Sequence, residues 1–201
     1  VIPIRQPHRA VTRSQILQAA RELFETEPYH DISVEAIAKR AGVSRATVYL
    51  HFDNKRQILD ELITDLRREA DVLWPNLSVS NDRSAAALTP HVAAFLDAIR
   101  RHSGAFRAWM QAGVTEDDVA GTSRRDLDRV RLLVFPDAAP DDSDALARTV
   151  VLVSVIERFC VYWLDHELPI PPDTAAAILA EAMAGVIGAA PARTLVERTT
   201  G

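Results

Sequence analysis

The run Ser44-Arg45-Ala46-Thr47-Val48-Tyr49-Leu50-His51 puts a guanidinium, two hydroxyls, a phenol and an imidazole within eight residues. On a helix Val48 turns inward, and Ser44, Arg45, Ala46, Thr47, Tyr49, Leu50 and His51 remain outside. That set suits a nucleic-acid duplex. Arginine pairs with guanine O6 and N7 through two N–H donors. Thr47 offers its methyl to thymine or its hydroxyl to a phosphate, and Ala46 leaves room for close approach. Tyr49, His51 and Lys55 suit phosphates, which position a helix without reading sequence. Ser33 opens another helix whose backbone N–H groups suit a further phosphate. Arg5, His8 and Arg9, with Arg13, form a basic arm for phosphates or a minor groove.

A second set is aromatic. Phe106, Trp109 and Met110 cluster on one short segment, and Phe159 and Trp163 lie four apart. With Phe95 and Ile99 they form a candidate pocket for an apolar or aromatic small molecule, with Arg107, Gln111, Glu157 and Arg158 as polar anchors. The competing reading is that these aromatics are core. Catalysis has no support: there is no nucleophile–base pair, no Gly-rich phosphate loop and no metal-ligand spacing. The six histidines are scattered, and the single cysteine, Cys160, excludes an intrachain disulfide and a Cys-based zinc site. No enzyme, cofactor or metal is expected.

Helices must position both sets. Apolar spacing of three and four dominates the chain, so it reads as all-α, with about nine helices. The first runs from about Arg13 to Glu27, with Thr12 as N-cap and Ile16, Ala20, Leu23 and Phe24 on one face. Ser33 caps Val34–Ala41, Gly42 sits where a left-handed residue is wanted, and Ser44 caps Arg45–His51. Two short helices around a Gly-containing turn are a helix-turn-helix. Asn54 caps Lys55 to about Trp74. Further helices are expected at Ser84–His102, Gly104–Gly113, Asp117–Phe135, Ser143–His166 and Asp173–Gly188. The domain reading is 1–56 as a helix-turn-helix domain whose residues 1–12 are a flexible basic arm, 57–190 as a helical body, and 191–201 as a frayed tail.

Composition agrees. The chain has 201 residues, 48% hydrophobic and 25% charged, the profile of a folded globular protein. Residues 1–56 carry nine Lys+Arg and six Asp+Glu; the rest is acidic, and the whole is at −5. Such asymmetry places a nucleic-acid-facing end on a body that is not. No apolar run approaches the ~18 residues of a membrane span, and the N-terminus lacks the apolar stretch of a secretory signal. A cytoplasmic protein without a membrane partner is expected.

A helix-turn-helix alone also occurs in proteins that never touch DNA. The density of matching residues here goes further. Ile16-Leu17-x-Ala19-Ala20-x-x-Leu23-Phe24, then Ser33-Val34-x-x-Ile37-Ala38-x-x-Ala41-Gly42-Val43-Ser44, then Thr47-Val48-Tyr49-x-His51-Phe52-x-x-Lys55-x-x-Ile58-Leu59 resemble the N-terminal domain of TetR-family transcriptional regulators. The turn Pro28-Tyr29-His30-Asp31-Ile32 departs by lacking a glycine that many members place there. The resemblance implies an N-terminal three-helix DNA-binding domain on a palindromic double-stranded operator, and a C-terminal helical body for ligand binding and dimerisation. It implies a small-molecule effector that releases DNA, and so a repressor; activation stays open. The residues place the homodimer interface on the last two helices, 143–166 and 173–188. The apolar surround of the first and the small residues of the second suit a symmetric four-helix contact. A helix-turn-helix module working through protein partners is the alternative class.

Overall fold

The computed structural model describes residues 5–73, 82–113, 119–165 and 168–188, and all regular structure among them is helical. The helices are α1 (Arg5–Thr26), α2 (Val34–Ala41), α3 (Arg45–Tyr49), α4 (Lys55–Leu73), α5 (Ala85–Arg101), α6 (Ser103–Ala112), α7 (Val119–Val134), α8 (Ser143–Asp165) and α9 (Pro172–Gly188). Seven of these nine starts lie within one residue of expectation. The tail 191–201 and the ends placed at Trp74 and His166 lie outside the described residues. No helix among the described residues is long and apolar enough to cross a membrane.

The flexible arm is corrected. Helix α1 begins at Arg5, eight residues before the expected start, and takes in most of residues 1–12. Pro7 falls in the first turn, where its missing N–H would have no intrahelical acceptor. No glycine or proline follows until Pro28. Thr12 is therefore interior to the helix and not its cap.

The chain divides into two compact units, residues 1–68 with 101–119 and residues 69–100 with 120–201. The expected boundary after residue 56 thus moves into α4, and α6 joins the N-terminal unit. In this first unit α1 packs against α2 and α6, and α2 against α3. Ile16, Ala20, Phe24, Ile37, Val48, Phe52, Ile58 and Leu59 are among its buried apolar residues, each at most 3% exposed.

Polar bonds explain why α6 belongs there. The Glu25 carboxylate, at the end of α1, accepts from Ser103 Oγ at 3.2 Å and from the Gly104 N–H at 3.1 Å. It thereby satisfies a donor at the α6 N-terminus, where negative charge is favoured. Arg107 donates to the Glu25 carbonyl at 3.1 Å, and Gln111 Oε1 accepts from the Tyr29 N–H at 2.8 Å. Arg107 and Gln111, expected as ligand anchors, are therefore committed to docking α6. Gly104 makes the approach possible: a Cβ there would lie 2.7 Å from the Glu25 backbone nitrogen.

In the second unit α8 packs on α9. Arg148 ties them, donating to Asp144 and to the Val186 carbonyl, both at 2.7 Å. Leu152, Ile156 and Cys160 are buried at four-residue spacing on α8, and Ala176, Leu179, Ala180 and Met183 on α9. Burial pushes the Cys160 thiol up to about 12. The expectation that α8 is buried on more than one side meets a difference in the single chain. Val150, Val151, Val155 and Tyr162 are exposed, at 39–49%.

Candidate nucleic-acid interface

Local chemistry sets the angle between α2 and α3. Ser33 Oγ accepts from the Ala36 N–H at 3.1 Å and caps α2. At the other end Gly42 takes φ 69° and ψ 28°, the left-handed region that glycine enters without Cβ strain. Its N–H donates to the Lys39 carbonyl at 3.3 Å and that of Val43 to the Ala38 carbonyl at 3.0 Å. These paired bonds close α2 as a Schellman motif and turn the chain into α3. Ser44 Oγ accepts from the Thr47 N–H at 3.0 Å and shares a hydrogen bond with Thr47 Oγ1 at 2.8 Å.

Val48 is 1% exposed and roots α3 in the core, while Ser44, Arg45, Ala46, Tyr49 and Leu50 are exposed. Five of the seven residues expected on the outward face are thus exposed, and Thr47 and His51 are half-buried. Its hydroxyls are partly committed: Ser44 and Thr47 bond each other, which leaves the Thr47 methyl as its freer group. Arg45 pairs with Glu35 of α2, donates to the Tyr49 hydroxyl at 3.2 Å and lies 5.4 Å from the centre of the Tyr49 ring. The Tyr49 hydrogen bond and then the Glu35 charge hold its pKa above the usual arginine value.

Three cations expected at phosphates have work inside the protein. Lys55 donates to the carbonyls of Tyr29 and Ile32, the latter at 2.7 Å, and sits 3.9 Å from the Tyr29 ring centre. It closes the turn between α1 and α2, the turn that lacks the expected glycine. Arg13 donates to the His51 carbonyl at 2.7 Å, pairs with Glu61 and lies 4.1 Å from the Phe52 ring centre. Arg9 donates to the Leu50 carbonyl at 3.4 Å. Arg9 and Arg13 thus brace the C-terminal end of α3 from α1, in place of a free arm. Arg5 lies on the α1 backbone, and the placement of its side chain, like that of His8, is outside the described residues. Burial first, then the charges of Arg9 and Arg13, push the His51 pKa below its ordinary value. That direction favours the neutral imidazole.

Two residues gain importance that the sequence did not give them. Leu50 is 71% exposed at the end of α3, an apolar group beside the reading face. Glu35 reaches Arg45 across the turn, and a ten-residue separation carries no local signal for that meeting.

The candidate pocket residues fall in two units. Phe106, Trp109 and Met110 lie on α6 in the first, and Phe95, Phe159 and Trp163 in the second. Phe159 and Trp163 do meet, stacked with ring centres 6.2 Å apart, and Trp163 Nε1 donates to the Ile170 carbonyl at 3.0 Å. Phe106 is 5% exposed. The buried Trp109 Nε1–H has no acceptor among the described residues, while Arg67 lies 5.9 Å from the centre of its ring.

Comparison with known proteins places this geometry. A model of the tetR family of bacterial regulatory proteins matches residues 16–62. The chain is 32% identical over 176 residues to the HTH-type transcriptional activator FasR of Mycolicibacterium smegmatis, covering 81% of this chain and 77% of FasR. It is 29% identical over 174 residues to the regulator EthR of the same organism, covering 82% and 80% of the two chains. Among solved structures it is similar to NalD of Pseudomonas aeruginosa, the secondary repressor of the MexAB-OprM multidrug efflux pump. There the TM-score is 0.64 at 23% identity over 89% of this chain and 96% of NalD. It is also similar to the fatty acid degradation regulator FadR of Bacillus halodurans, with a TM-score of 0.65 at 16% identity over 87% and 95%.

Proposed function

The chain belongs to the TetR family of bacterial transcriptional regulators and is not an enzyme, and from that premise we propose that it binds a palindromic operator as a homodimer and represses transcription until a small molecule releases it. The observation that carries the DNA-reading part is the face of α3: Arg45, Ala46, Tyr49 and Leu50 exposed around a buried Val48. Arg45 reads guanine, Ala46 and the Thr47 methyl admit close approach to base edges, and Tyr49 meets a phosphate. Ser33 and Ser44, as helix caps, present the first-turn backbone to phosphates. Residues 1–68 with α6 act as the DNA-binding part, and the second unit as the body. Reading DNA places the protein in the cytoplasm.

The dimer surface lies on α8 and α9. Val151, Val155 and Tyr162 share a face of α8, and Ile178 is 55% exposed on α9. Ala182 and Gly185 follow Ile178 at helical spacing and are exposed, and beyond its own stretch of helix a Cβ at Gly185 would meet none of the described residues within 4 Å. An exposed apolar face with small residues admits close approach of a second copy, and twofold pairing matches a palindrome. For the effector, support comes from the Trp109 indole N–H beside Phe106 and Met110, which has no acceptor among the described residues. An apolar molecule carrying one hydrogen-bond acceptor answers that chemistry. Activation is the second reading, because the relative FasR is named an activator; where the operator lies relative to the promoter sets the sign.

Titration of an intact palindromic duplex against one with a scrambled half-site tests the assembly. Two or more chains per intact duplex, in even number, and a large affinity loss on scrambling are expected. A single chain bound equally well to both would contradict it.

A further inference from the structure

One group on the reading face is at odds with a polyanion: a carboxylate. Glu35 stands in the first turn of α2, about half exposed, and its partner is the best base reader on the protein. One terminal nitrogen of Arg45 takes the Glu35 carboxylate and the other donates to the Tyr49 hydroxyl at 3.2 Å, with the ring face alongside. The guanidinium is thus held by a carboxylate, a phenol and an aromatic face.

We propose that Glu35 is a specificity-determining residue, a built-in counter-ion that withholds Arg45 from phosphates and leaves it to guanine. The proposal rests on the reading of α3 as the recognition element. A phosphate that takes Arg45, whether it displaces Glu35 or uses the N–H groups left over, brings a negative charge up to the Glu35 carboxylate. Guanine O6 and N7 are neutral acceptors. Each terminal nitrogen of a guanidinium carries two N–H groups, so one of each remains for a base edge while Glu35 and Tyr49 stay in place. The pair therefore penalises the contact that carries no sequence information and spares the one that does. It also fixes the orientation of a long side chain before DNA arrives.

The test compares operator with random duplex of equal length. Glu35→Gln raises affinity for random duplex relative to operator by about two- to fivefold, the range set by an exposed ion pair. It steepens the salt dependence on random duplex by about 0.9, one added phosphate contact. Glu22→Gln removes the same charge from the Arg40 pair and shifts both DNAs alike. In an Arg45→Ala background Glu35→Gln no longer changes the ratio. An unchanged or increased preference for operator in Glu35→Gln overturns the proposal, as does an effect that persists without Arg45. The underlying reading fails separately, if Arg45→Ala alone leaves operator affinity and base preference intact.

Discussion

Replacing Lys55 by methionine separates two jobs a basic residue can do next to DNA. Methionine keeps the stem and removes the charge. If Lys55 is the clasp of the α1–α2 turn, the loss is in folding. Its ammonium donates to the Tyr29 and Ile32 carbonyls and lies 3.9 Å from the Tyr29 ring centre. Hydrogen bonds from a charged donor are each worth about 1.5–3 kcal/mol, and an exposed cation–π contact about 0.5–1. The side chain is part-exposed, so solvent screening brings the expected loss to about 2–3 kcal/mol. Tyr29 and Ile32 are each 2% exposed, so carbonyls losing this donor have little water to turn to. Urea unfolding at constant slope reads the loss. A phosphate ligand predicts something else: stability nearly unchanged and a salt dependence shallower by about 0.9. The clasp predicts a salt dependence altered by less than about 0.3, from anisotropy titrations between about 0.05 and 0.2 M salt. An unchanged unfolding midpoint together with the shallower slope would refute the clasp.

Arg45→Ala weakens operator binding by about 1–3 kcal/mol and relaxes preference at one base position, while affinity for random duplex changes little; competition titrations against single-base operator variants read this. Gly104→Ala forces a Cβ to 2.7 Å from the Glu25 backbone nitrogen and lowers stability by about 1–3 kcal/mol, the usual cost of overpacking, in chemical denaturation. Cys160, pushed up to about 12 by burial, stays unmodified by a thiol reagent at pH 8 in the native protein and reacts on unfolding. Above pH 9 the unfolded thiol ionises and the buried one does not, so the unfolded state binds fewer protons and stability falls. Between pH 9 and 11 that fall is roughly 1 kcal/mol per pH unit, seen as the difference between the wild type and Cys160→Ala.

What was legible in the sequence was local chemistry. Ser33, Gly42 and Ser44 punctuate α2 and α3 because a cap or a left-handed residue acts within three or four positions of itself. Thr12 misled for the same reason: it has the right type for a cap, but nothing upstream breaks the helix it would have started. What the sequence hid was long-range. Lys55 meets carbonyls 26 and 23 residues away, and Arg107 meets a carbonyl 82 away. No period or spacing records such partnerships, so Lys55 reads as a phosphate ligand and Arg107 as a ligand anchor until the helices are packed. The same holds for α6, whose place in the first unit rests on the Glu25 carboxylate at its start. Leu152, Ile156 and Cys160 could be read as one buried face of α8, but a list of apolar residues does not say which face stays open for a second copy.

The proposed function makes the exposed α3 of two paired chains the reader of a DNA sequence. Selection of binding sites from a random duplex library, with purified protein at about 0.15 M salt, tests it most directly. Enrichment of a palindrome whose half-sites lie about one helical turn, or a multiple of it, apart is expected. A library that stays random, even at low salt, would contradict it and turn attention to protein partners for the same face.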